Sequence, residues 1–137
     1  MNEKTTKWAA AAIGATGLIH LVLAPDQFEE EAYVGVLFIV GAVACGYAAL
    51  KLWTGRETTF GWLLGSAAAA CMFAGFILSR TVGLPGFHES EWELSGLVTL
   101  VLEAGFIAAA VAALSRSSQP ARVARTPRNG SASFPGR

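Results

Sequence analysis

Four apolar stretches, each close to the roughly 20 residues a helix needs to cross a hydrocarbon core of about 30 Å, constrain this chain more than any other feature. They occupy residues 8–24, 32–53, 58–79 and 92–115, and short polar breaks separate them. Lipid offers the backbone no hydrogen-bond partners, so spans of this length must be α-helical and satisfy their amides internally. With 53% hydrophobic and only 15% charged residues, the chain is too apolar for an ordinary soluble domain of its size. The expected fold is all-α, an integral-membrane four-helix bundle over residues 1–115, followed by a basic tail over 116–137. Each break carries helix punctuation: Pro25 and Asp26, then Thr54 and Gly55, then Gly83, Pro85 and Gly86. A cleaved signal peptide is disfavoured for the first span, because Pro25 would directly follow the cut and His20 interrupts the apolar region.

The formal net charge is zero, yet the charges are sorted along the chain. Lys4, Lys7, Lys51, Arg56, Arg116, Arg122, Arg125, Arg128 and Arg137 lie at the amino terminus, the second break or the tail. Four crossings place all of these on one side, and the positive-inside rule makes that side the cytoplasm. The opposite side receives Asp26, Glu29, Glu30, Glu31, Glu89, Glu91 and Glu93 against the single base Arg80. Both termini are therefore expected in the cytoplasm of a bacterial inner membrane. The Ser-, Pro-, Gly- and Arg-rich tail has little to bury and is expected to be disordered, its arginines meeting anionic lipid heads. It lacks the aromatic interleaving or folded module that nucleic-acid recognition requires.

Helices in lipid associate through small residues and a few polar groups. Gly61 and Gly65 form a GxxxG pair whose face continues through Ala68, Met72, Gly75 and Ser79. Gly35, Phe38, Ala42, Cys45 and Ala49 make a comparable stripe on the second span, and Gly96, Thr99 and Glu103 on the fourth. The GxxxG pair suits another helix of this chain or a second copy equally well. Cys45 and Cys71 fall inside spans, where small buried apolar fillers are expected rather than a disulfide or metal pair.

Three ionisable groups ask for more than packing. His20 lies roughly 6 Å inside the boundary marked by Pro25, and Arg80 ends the third span at a similar level. Glu103 lies roughly 16 Å deep, near the bilayer centre, level with Thr16 and Cys71. At that depth the neutral acid is the expected form, hydrogen-bonded to Thr16 or a water. An intramembrane carboxyl is a functional-site candidate by default, with interhelical glue as the plain alternative. At the outer mouth, His20 and His88 are expected near Glu30 or Glu31, Glu91 or Glu93, and Arg80. Imidazole and carboxylate together suit zinc, copper or proton transfer. No HExxH, CxxC or paired histidine supports a metal, so His20, Glu30 and His88 stand only as weak metal candidates and no cofactor is predicted.

The stretches "GLIHLVLAPDQFEE" and "SRTVGLPGFHESEWELSGL", with a Glu later in the fourth span, resemble a group of uncharacterised four-span bacterial membrane proteins that share H-x4-P-[DE]-x2-E-E and S-R-T-x-G-L-P motifs. The resemblance covers roughly residues 9–115 and carries over His20, Pro25, Asp26, Glu29, Glu30, Arg80, Gly83, Pro85 and Glu103. It implies topology and no established activity. Members of that group often carry another His two residues beyond the proline; here that position is Gln27, so a two-histidine metal or haem site is not implied.

The small-residue stripes and the lack of a catalytic signature fit a structural or accessory subunit of a membrane complex, with lipid, a second copy or another membrane protein as partner. A small proton-coupled transporter or channel using Glu103 is the alternative from a different class, and a metal-binding role through the His20 and acidic-loop cluster is a third. Four-span drug exporters place their glutamate in the first span, whereas residues 8–24 contain none.

Overall fold

The computed structural model describes residues 2–117. It consists of four helices, α1 (Glu3–Glu30), α2 (Ala32–Thr54), α3 (Thr58–Thr81) and α4 (Leu94–Ser117). All four are long and apolar enough to cross a membrane. The expected disorder of the tail and its lipid contacts fall on residues outside the described ones, except that Arg116 and Ser117 belong to α4.

Short connections force neighbouring helices antiparallel. A single residue, Glu31, links α1 to α2, and residues 55–57 link α2 to α3. Each helix packs on its neighbours in the chain, and α4 closes the ring against α1. The bundle therefore has a basic end, with the amino terminus and the α2–α3 turn, and an acidic end, with the α1–α2 and α3–α4 connections. Large apolar side chains such as Leu18, Val22, Val43, Leu50, Leu63, Val101 and Val111 are exposed around the outside, as a lipid-facing surface demands. Trp8 and Trp53 at one end and Trp92 at the other are also exposed, the position at which indole rings anchor to headgroups.

One boundary differs from the expectation. Helix α1 does not stop at Pro25 but runs on to Glu30 with the proline inside it. Proline removes only its own amide bond, and the helix resumes on Asp26 to Glu30 until the extended Glu31 (φ −148°) ends it, its N–H donating to the Gln27 carbonyl at 2.9 Å. Gly35 makes the reversal possible, since the Phe28 ring lies where a Cβ would project.

The core is concentrated in the basic half. Ile13, Cys45, Leu52, Trp62, Ala69, Phe106 and Ala110 form one buried cluster with several alanines. Trp62 and Phe106 stack with ring centroids 5.2 Å apart. The GxxxG pair is consumed within this chain. A Cβ on Gly61 would meet Leu52 and Lys51 at 3.1 Å, and one on Gly65 would meet the Phe106 ring at 2.6 Å. On α1, Gly17 seats against α2, where an added Cβ would lie 2.9 Å from the Cys45 Cβ and 3.1 Å from the Ala42 carbonyl oxygen. Cys45 is buried as expected, but Cys71 is exposed, and both are free thiols.

Candidate functional site: a cavity lined by Glu103

The acidic half of the bundle is hollow. A cavity of about 670 Å³ is lined by all four helices and the α3–α4 connection. Its rim carries Asp26 and Glu30 from α1 together with Glu89 and Glu93 from the connection. Val34, Phe38, Met72 and Phe76 make much of its wall, Glu103 of α4 lines it partway along the bundle, and Leu64 and Ala67 of α3 line it farther toward the basic end. Nine residues separate Glu103 from Leu94, which puts it about 13 Å below the start of α4.

Glu103 is 1% exposed, and neither carboxyl oxygen has a hydrogen-bond partner. The expected bond to Thr16 does not form. Thr16 is itself fully buried, but its hydroxyl donates back to the Ala12 carbonyl one turn earlier, at 3.2 Å. A β-hydroxyl on a helix reaches its own backbone at no cost in reorganisation, and that local bond wins over one across the bundle. Glu103 is thus a buried acid in an apolar setting with two vacant acceptor atoms, a costly arrangement in a protein interior.

His20 lines the same cavity and is 8% exposed. Its Nδ1 lies 3.0 Å from the Thr16 carbonyl oxygen. A carbonyl can only accept, so Nδ1 carries a proton, and in the neutral ring the lone pair is then on Nε2. The ring packs on Phe38, with centroids 4.8 Å apart. Because α1 continues beyond Pro25, His20 sits ten residues, or about 15 Å, below the end of its helix.

The segment "SRTVGLPGFHESEW" closes part of the acidic end. Pro85 and Gly86, the latter at φ 71°, occupy the central positions of a type II turn whose flanks, Leu84 and Phe87, exchange backbone bonds of 2.7 and 2.9 Å. Tyr33 of α2 donates its hydroxyl to the Pro85 carbonyl at 2.8 Å, and the Glu89 N–H donates to the Ser79 carbonyl at 3.0 Å. Phe87 is buried and lines the cavity. His88, the next residue, is exposed and does not line it. The expected meeting of His20 with His88 therefore does not occur. Glu30 does share the cavity with His20, yet no group of three His, Cys, Asp or Glu residues among the described ones is arranged to hold a metal ion.

Arg80 reaches the second acidic loop, but through its backbone. Its Nε donates to the Glu91 carbonyl at 2.9 Å and a terminal nitrogen to the Ser79 hydroxyl at 2.9 Å. The guanidinium lies 3.8 Å above the Phe76 ring, which meets Trp92 edge-on. Ion pairs within 4 Å among the described residues join Lys7 to Glu3 and Lys51 to Glu57, and neither involves Arg80. This stack and the Tyr33 bond were not legible in the sequence, although "LPGF" signals the turn.

Comparison with protein families, curated proteins and solved structures found no match for the chain. What the fold and the site define is a multi-pass membrane protein, and any activity has to be argued from the cavity's own chemistry.

Proposed function

We propose that this protein is a small proton-coupled transporter of a bacterial inner membrane, with its acidic end outside, both termini in the cytoplasm and Glu103 as the carrier carboxyl. The observation that carries this reading is the pair of unpartnered, buried oxygens on Glu103, a residue that lines a cavity with an acidic rim. A carboxylate in such surroundings is stabilised only by a proton or by a cation brought to it, so the two compete for the same atoms. The rim carboxylates raise the local concentration of cations near the entrance. The His20 ring, which lines the same cavity, offers a further stop for a proton at Nε2 when it is neutral.

The test is proton flux in proteoliposomes. Wild-type protein is expected to conduct or exchange protons, and Glu103→Gln, which preserves shape but cannot titrate, is expected to abolish flux while leaving the protein folded. Undiminished flux in the Gln variant, or none in the wild type across pH 5–8, removes the carrier assignment.

A second reading, an accessory subunit, has its own support. Gly14, Gly17, Leu18, Leu21, Ala42, Val43 and Gly46 line a separate groove of about 260 Å³ on α1 and α2. A Cβ added at Gly46 would meet nothing within 4 Å, leaving room for the close approach of another membrane helix.

A further inference from the structure

We infer that the cavity binds a hydrophobic monovalent organic cation: a protonated amine or quaternary onium centre carried on an aromatic or aliphatic body. This deepens the transport reading, and rests on it for movement across the membrane but not for binding.

Three observations converge on this class of ligand. The first is charge. Asp26, Glu30, Glu89, Glu93 and Glu103 line the cavity against one guanidinium. That guanidinium, Arg80, already donates to the Glu91 carbonyl and the Ser79 hydroxyl and stacks on the Phe76 ring, and the carboxyls outnumber it five to one. The second is the wall. Val34, Phe38, Met72 and Phe87 present hydrocarbon, sulfur and aromatic faces, which stabilise an organic body and do nothing for a hydrated metal ion. A metal would have to shed its water for a single carboxyl, since no three-ligand group stands ready among the described residues. An organic cation brings its own apolar shell and loses far less hydration. The third is size. About 670 Å³ lies within the range of roughly 300–1,000 Å³ typical of sites for drug-sized molecules.

The geometry also assigns the atoms. The cationic centre lies on the Glu103 side of the cavity, attracted by a carboxyl whose oxygens are buried and unpartnered, and the body extends along the apolar wall toward the acidic rim. Aromatic faces strengthen the hold on a cation through their quadrupoles. The Phe76 face is already taken by Arg80, which leaves Phe38 and Phe87 as the lining rings that a cation can meet.

The experiment is equilibrium binding to the purified full-length protein in mild detergent, with tetraphenylphosphonium and with tetraphenylborate, its anionic counterpart of nearly the same shape. Saturable binding of the phosphonium is expected, with the borate at least tenfold weaker. Glu103→Gln is expected to weaken the phosphonium at least tenfold, and Glu103→Asp to retain most of it. Lowering the pH from 8 to 5 is expected to weaken wild-type binding as protons take the Glu103 oxygens. Other titratable groups face the same space: His20, Asp26 and Glu30 from α1, Cys71 and Arg80 from α3, and Glu89 and Glu93 from the connection. The pH effect must therefore persist in His20→Gln. Equal binding of the borate, or phosphonium binding untouched by Glu103→Gln, overturns the inference. Should the Gln variant fail to fold, the wild-type comparison of the two ions and its pH dependence still decide. Phosphonium binding without proton flux would keep this site and remove the transport reading, whereas proton flux without phosphonium binding would do the reverse.

Discussion

The two halves of the bundle are built from the same four helices and differ in what lies between them. Near the basic end, Ile13, Leu52, Trp62 and Phe106 interlock with alanines and Gly65 until little space remains. Near the acidic end, the same helices enclose a cavity with Glu103 at depth and carboxylates at its rim. Glycine serves both halves in opposite ways. Gly65 admits the Phe106 ring, while Gly75, on the cavity lining, has nothing within 4 Å of its missing Cβ and leaves space open. The difference indicates a division of labour in which one half holds the helices together and the other half, relieved of that task, tolerates unsatisfied polarity.

The largest effect should therefore come from the filled half. Phe106→Ala removes the ring that meets Trp62 and Gly65, and about 2–3 kcal/mol of stability is expected to go with it. That is less than the roughly 3–5 kcal/mol of the same truncation in a water-soluble core, because lipid supplies little hydrophobic drive. Phe38→Ala, in the cavity wall, should cost below about 1 kcal/mol, since the ring already borders empty space. Thermal unfolding in detergent reads both. Equal losses would erase the distinction between the halves.

Next in size are the ties across the acidic end. Arg80→Ala frees the Glu91 and Ser79 bonds together with the Phe76 stack, and about 1–2 kcal/mol is expected from bonds with a charged donor. Arg116→Ala, at an exposed helix end, should change stability by less than about 0.5 kcal/mol. Tyr33→Phe deletes one hydroxyl bond and is expected to cost about 0.5–1.5 kcal/mol. Its more telling readout is faster labelling of a cysteine placed at Pro85, which reports the turn lifting away from α2. Unchanged labelling would mean the other contacts hold the turn alone.

These ties mark where the sequence stops being informative. The helices themselves were legible because a membrane span is a property of length and composition, written locally in the residues. The α1 boundary was not, because proline is a helix breaker only where nothing else carries the chain on, and the turn after Glu30 depends on Phe28 packing over Gly35, a contact between helices. Glu103 was legible as a lone acid in an apolar run. Its lack of a partner was not, since that depended on which way the Thr16 hydroxyl turned. His20 within the first span and His88 in the third break were both expected at the outer mouth, and the turn at Pro85–Gly86, after which Phe87 lines the cavity and His88 is exposed, separates them. The cavity has no signature at all, because it is a space where side chains from four helices fail to meet.

Orientation can be tested without disturbing either half. Single cysteines at Glu29 and Glu89, on a background lacking Cys45 and Cys71, should react with a membrane-impermeant reagent from the same side, opposite to one at Arg56. Labelling of Glu29 and Glu89 from opposite sides would break the four-span arrangement. Labelling of both from the cytoplasm would reverse the proposed orientation and place the cavity mouth inside.

The smallest change in stability is expected where the functional stake is greatest. If Glu103 were interhelical glue, Glu103→Leu would delete a hydrogen bond and loosen the bundle by about 1 kcal/mol. The carboxyl makes no such bond, so leucine, of similar length and with no polar atoms to strand, removes a burial cost and loses nothing. Stability is expected to stay within about 0.5 kcal/mol of wild type or to rise slightly, while phosphonium binding and proton flux disappear. Residues kept at a cost to the fold are the ones function selects, because stability alone would replace them. A clear loss of stability in Glu103→Leu, with binding unaffected in Glu103→Gln, would make the carboxyl a structural tie and return the acidic half to the same role as the filled one.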